Sequence, residues 1–221
     1  MDALPFTAQL INVFAAVLLL LSFAMLAQRR ILSLVDLLAW QGAALVGSTL
    51  AVAYSTGQQH LYYSAALTLA LKVILVPLVL HRLIRRLAVR WDTEPLLNIP
   101  ATMIVGLALV VFSFGLAQPI SALASTVTRS TLGIAIAVVM LSFLMMITRR
   151  KAISQVIGFL SMENGLFFAA TSATYGMPMV VELGVALDVL VGVVILGIFF
   201  FQIREQFDSL DLHHLERLKE D

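Results

Sequence analysis

Four ionisable residues lie inside long apolar stretches of this chain. Lys72 sits in Ala70-Leu71-Lys72-Val73, Glu163 in Ser161-Met162-Glu163-Asn164-Gly165, Glu182 in Val181-Glu182-Leu183-Gly184 and Asp188 in Ala186-Leu187-Asp188-Val189. A charge placed in hydrocarbon costs about 2.5 to 3.5 kcal/mol on insertion scales, so each such group needs a partner or a neutralising proton. Groups of this kind are suited to taking up and releasing protons. The competing reading is structural. For Glu163 and Asp188 it is an acid hydrogen-bonded within a helix bundle, and for Glu182 an interfacial, snorkelling position. For Lys72 it is an ion pair with Asp188 or Glu163 that only locks helices together.

The surroundings of these residues add detail. Asn164 follows Glu163 and is expected to point elsewhere on the helix, while Gly165 leaves room for a neighbouring helix or a water. Pro77 removes the hydrogen bond to the Val73 carbonyl and is expected to kink the helix beside Lys72. Asp36, near the Arg29-Arg30 pair, reads as half of a surface ion pair. His60, His81, His213 and His214 are dispersed without ligand spacing, and neither a phosphate loop nor a nucleophile motif is present, so neither a metal site nor an enzyme acting alone is expected.

The solvent follows from composition. With 61% hydrophobic and 12% charged residues over 221 positions, and a mean hydropathy of +0.99, the chain reads as an integral membrane protein. It has no cysteine, which excludes thiolate metal sites and iron–sulfur clusters held by this chain. A net charge of +1 points to no nucleic-acid partner. The expected fold is all-α, with seven transmembrane helices near 6–27, 34–55, 61–82, 100–118, 131–148, 153–175 and 180–203. The fourth and fifth read as short. Continuous rather than alternating apolar runs argue against a barrel.

With the N-terminus outside, the basic residues from Arg29 to Lys219 fall on the cytoplasmic side apart from Arg129 and the intramembrane Lys72, which predicts an N-out, C-in topology. Tyr54, Tyr62, Tyr63 and Tyr175 then lie near the outer boundary. The first helix does not read as a cleaved signal, because its Arg pair follows the apolar stretch.

One pattern occurs twice. Arg29-Arg30, Gln41 and Ala70-Leu71-Lys72-Val73 are matched by Arg149-Arg150, Glu163 and Ala186-Leu187-Asp188-Val189. This predicts two parallel three-helix repeats: residues 1–90 form the first, 91–130 a linker with the fourth helix, and 131–205 the second. Residues 206–221 read as a cytoplasmic amphipathic tail.

The run from Arg149 onward, with Gln155-Val156-Ile157-Gly158, Met162-Glu163-Asn164-Gly165, Val181-Glu182-Leu183-Gly184, Asp188 and Leu210-Asp211-Leu212, resembles component E of hydrogenase 4 and of related formate hydrogenlyase complexes. The Lys72-Val73-Ile74-Leu75-Val76-Pro77 segment fits as well. The last three helices also resemble the small K-type subunit of complex I and the C subunit of multi-subunit cation/proton antiporters. In the K-type subunit two intramembrane glutamates belong to a proton-conducting axis, and the resemblance carries them onto Glu163 and Asp188, the second shorter by a methylene. Gln41 is not an acid, so no proton site is carried to the first copy.

The resemblance implies a membrane subunit without its own redox centre or cofactor. Its partners would be antiporter-like membrane subunits and the other subunits of a hydrogenase-type oxidoreductase complex in a bacterial or archaeal cytoplasmic membrane. Glu163, Asp188, Lys72 and Glu182 would contribute to a proton or cation path. The alternatives are a structural spacer or assembly subunit of that membrane arm, and a stand-alone cation/proton antiporter component.

Overall fold

Long apolar runs bounded by Arg pairs and small polar turns form helices because in lipid every backbone N–H and C=O must be satisfied within the segment. In the computed structural model, residues 6–86, 98–121 and 126–174 are described, and all of these are helix apart from the short joints. The helices are α1 (Phe6–Ala27), α2 (Ile31–Thr56), α3 (Gln59–Thr68), α4 (Val76–Arg86), α5 (Ile99–Ser121), α6 (Thr126–Thr148) and α7 (Ala152–Thr174). A π-helical segment, Leu69–Leu75, joins α3 to α4 without a break, so Gln59–Arg82 is a single span. The described residues hold six helices long and apolar enough to cross a membrane. The protein is therefore all-α and multi-pass. The expected seventh helix, 180–203, lies outside the described residues.

The ends of the helices follow local chemistry. Arg30 is extended (φ −83°, ψ 123°), which stops α1 from running into α2. Gly57 ends α2 at φ 68°, a left-handed conformation open to glycine, and its N–H donates to the Ala53 carbonyl at 2.9 Å. Both α5 and α6 span 23 residues and are longer than expected.

The architecture is a four-helix centre with two flanking spans. α1 packs on α2, α2 on α7, α7 on α6 and α6 on α1; the α3–α4 span lies against α2, and α5 against α6 and α1. Ile11, Ala15 and Leu18 of α1, Leu45 and Val52 of α2, Ala135 and Val138 of α6, and Phe167 and Phe168 of α7 form an apolar cluster that fills one half of this centre. Close approach is built in by small residues. A Cβ at Gly165 would lie 2.9 Å from Val138 Cγ1, so α7 and α6 meet nearly backbone to side chain there.

Candidate functional site

Lys72 and Glu163 meet in the interior. The ammonium lies 3.2 Å from Glu163 Oε1, and the two side chains are 7% and 2% exposed. Counted from Ala152 at about 1.5 Å per residue, Glu163 is about 16 Å along α7, close to the middle of a core about 30 Å thick. Lys72 also donates to Asn164 Oδ1 at 3.0 Å and stands 5.4 Å from the centre of the Phe167 ring. An ion pair, a charge-assisted hydrogen bond and an aromatic face thus hold one ammonium in a site sealed from lipid.

The position of Lys72 depends on the π segment. The Val76 N–H reaches back five residues to the Leu71 carbonyl, a widened turn placed just before Pro77, whose ring nitrogen has no hydrogen to give. The expected kink therefore takes the form of a π bulge that contains the lysine. Opposite it, Gly42 lets α2 come close: a Cβ there would be 3.3 Å from Lys72 Cβ.

From Asn164 the polar contacts continue across all four central helices. Asn164 Nδ2 donates to Gln41 Oε1 at 3.1 Å, and Gln41 Nε2 donates to Ser22 Oγ and Ser161 Oγ, each at 3.0 Å. Ser161 Oγ and Ser142 Oγ share a hydrogen bond of 2.8 Å, in which Ser161 donates because the Ser142 hydroxyl is given to the Val138 carbonyl. Adjacent residues on α7 thus both join the site, against the expectation that Asn164 would point away, because Lys72 and Gln41 approach α7 from different helices.

At the end of the bundle near the Arg pairs, Arg149 is buried at 2% exposure. Its Nη2 donates to the carbonyls of Leu26 at 2.9 Å and Gln28 at 2.8 Å, and reaches that of Met25 at 3.4 Å. It thereby caps the C-terminus of α1, whose last carbonyls and dipole favour a cation. Burial first, and the nearby positive charge of Arg29 second, lower the Arg149 pKa below the ordinary guanidinium value. Asp36 pairs with His81 Nε2 at 3.4 Å rather than with the Arg pair, and His81 Nδ1 lies 2.9 Å from the Pro77 carbonyl.

Of the sequence-derived candidates, Lys72 and Glu163 are brought together, while Glu182 and Asp188 lie outside the described residues. Sequence reasoning did not single out Ser22, Ser142 or Ser161, used Arg149 only for the repeat and the topology, and set Gln41 aside. A signal for them was present: Leu21-Ser22-Phe23-Ala24-Met25 and Leu141-Ser142-Phe143-Leu144-Met145 stand at the same distance before the two Arg pairs. Among the described residues, no group of three or more His, Asp or Glu side chains comes together as a metal site.

Over 212 residues, 96% of each chain, the sequence is 33% identical to the uncharacterized protein Rv0085 of Mycobacterium tuberculosis. The chain belongs to the Rv0085 family. It is also distantly homologous to hydrogenase-4 component E of Escherichia coli K12 and of Shigella flexneri, at 28% identity over 163 residues, 73% of this chain and 74% of the relative in each case. No protein-family model and no solved structure matches it.

Proposed function

We propose that this chain is a membrane subunit, without its own redox centre, of a hydrogenase-4-like complex related to complex I, and that the Lys72–Glu163 pair carries protons, or couples to a cation, within the membrane. The observation that carries this reading is the pair itself: opposite charges 3.2 Å apart near mid-membrane, inside a hydrogen-bonded line spanning the central helices. A pair of this kind exchanges protons when a neighbouring charge moves, because each partner sets the other's protonation. The distant homology to component E supports the redox setting. The name of that relative supports hydrogenase-type partners; antiporter-like membrane subunits and a bacterial or archaeal cytoplasmic membrane are part of the proposal.

On the resemblance alone, Asp188 and Glu182 are also assigned to proton carriage, in a chain of N-out, C-in topology. The chain is organised as repeats 1–90 and 131–205, with 91–130 between them and 206–221 as a tail. The two copies align at an offset of 120 residues, which relates Ser22 to Ser142, Gln41 to Ser161 and Arg29-Arg30 to Arg149-Arg150. In support, Ser22 and Gln41 are bonded at a separation of 19 residues, as are Ser142 and Ser161, and α1 packs on α6 as α2 does on α7. This register differs from the motif pairing of Gln41 with Glu163 and Lys72 with Asp188: at an offset of 120 the counterpart of Glu163 is Ala43 and that of Lys72 is Gly192, so both charged residues are particular to one copy.

A structural spacer is the second reading, favoured by how many of the network's polar atoms bond to one another. Glu163→Gln in the complex purified through this chain separates the two. Loss of redox-driven proton translocation with subunits intact supports conduction, whereas altered assembly with unchanged translocation supports the spacer. A hydrogenase large subunit copurifying with the chain supports the redox setting.

A further inference from the structure

Along the α3–α4 span, residues four apart read Ser64, Thr68, Lys72, Val76, Leu80 and Ile84. Spacing by four keeps a line roughly on one face of a helix. This line is polar on one side of Lys72 and apolar on the other, and Leu80 and Ile84 are buried.

The polar half has a second property. Among the described residues, the oxygens of Ser64, Thr68 and Ser48, together with Gln58 Oε1, are buried without a hydrogen-bond partner. Many other hydroxyls among the described residues behave differently. Ser22, Thr49, Ser113, Ser142 and Thr171 each close onto the carbonyl four residues earlier at 2.7 to 3.0 Å, the usual resort of a helical hydroxyl away from water. Ser154 shares the unpartnered state but stands apart, at the start of α7.

The four atoms lie in sequence between the α2–α3 turn and the ammonium. Gln58 is in the turn beside Gly57. At a rise of about 1.5 Å per residue, Ser64, Ser48, Thr68 and Lys72 stand about 10, 14, 16 and 22 Å from Gly57. Successive heights thus differ by about 2 to 9 Å, intervals that one to three waters cover at ordinary hydrogen-bond lengths. The residues are buried within this chain, at 0% for Ser48, 4% for Ser64 and 1% for Thr68, so lipid or a neighbouring subunit does not reach them.

We propose that Gln58, Ser64, Ser48 and Thr68 hold a file of water running from the α2–α3 turn to Lys72, with Val76, Leu80 and Ile84 closing the opposite side. Neutral oxygens that lead to a paired ammonium suit water, which can both donate to and accept from them. Given the proton-carrying reading of Lys72–Glu163, on which this part rests, the pair exchanges protons with the membrane face that bears the α2–α3 turn and not with the other.

The chain contains no cysteine, so single thiols can report water directly. Ser64→Cys, Thr68→Cys, Thr49→Cys and Leu80→Cys are made in the full chain, in sealed vesicles of both orientations. Each is exposed to silver ion, a water-sized thiol reagent, quenched, denatured and labelled with a maleimide. The thiols at 64 and 68 are expected to be blocked from the α2–α3 side at least about tenfold faster than those at 49 and 80, since modification follows access of the thiolate. Equal rates at all four sites, or blocking only from the opposite face, overturns the proposal. As a second test, Ser64→Ala with Thr68→Val is expected to slow blocking of a thiol placed by Ser48→Cys; an unchanged rate overturns the file. The thiol result stands apart from the proton reading: fast blocking with Glu163→Gln translocating normally keeps the file and removes the conduction role.

Discussion

Separating Lys72 from Glu163 energetically is the sharpest structural test of the site. At 3.2 Å and an effective dielectric constant of about 20, the attraction of two unit charges is about 5 kcal/mol, before the cost of removing both from water. Removing one partner strands the other, which costs about 3 to 5 kcal/mol, whereas removing both leaves a neutral site. Lys72→Met and Glu163→Gln are therefore each expected to destabilise the chain by about 3 kcal/mol or more, and the double variant by at least about 2 kcal/mol less than the sum of the two. Asn164 and Phe167 still face the ammonium in Glu163→Gln, which makes it the milder single change. Reversible unfolding in mixed micelles, read by helix content, gives the four stabilities. Additive single effects, with no coupling beyond about 0.5 kcal/mol, would refute the pairing.

Three further outcomes follow from the geometry. Arg149→Gln is expected to cost about 2 to 3 kcal/mol in the same unfolding assay by leaving α1 carbonyls without a charged donor, and Arg149→Lys to recover less than half of it because a single ammonium cannot reproduce the guanidinium fork. Gly165→Ala, with its Cβ 2.9 Å from the stiff Val138 side chain, should cost about 1 to 3 kcal/mol by forcing α6 and α7 apart, whereas Gly115→Ala, with nothing within 4 Å, should change stability by less than about 0.5 kcal/mol. Pro77→Ala restores a backbone donor and is expected to tighten the π turn, rotating Lys72 by about 100° and lowering the Lys72–Glu163 coupling energy by at least about half; an unchanged coupling would show that the bulge does not depend on the proline.

The helices were legible because hydrocarbon leaves the backbone few choices, and α1 falls on the expected 6–27. Lys72 and Glu163 were legible as candidates for the same reason, since ionisable side chains at that depth are rare. Their pairing was named only as one of two options, because choosing between Glu163 and Asp188 needs the packing of α3 and α7 on α2. The Gln41 network was not legible from residue type. An amide lacking a charge was discounted, although its three hydrogen bonds make it the hub between Asn164 and the serines. Arg149 was read as a topology marker, since the sequence does not announce that a guanidinium folds back over a helix end 121 to 124 residues earlier. The π turn was foreshadowed by Pro77 but not predicted, because a proline can be accommodated by a kink or by a widened turn, and the packing of Lys72 against Gly42 selects the second.

The central claim is that Glu163 changes protonation as part of coupling. Its most direct test is redox-driven proton translocation, followed with a pH-sensitive dye, in the complex purified through this chain and reconstituted into vesicles. The account predicts that Glu163→Gln lowers translocation at least about tenfold while subunit composition is retained. Translocation at the unaltered rate in that variant would contradict it.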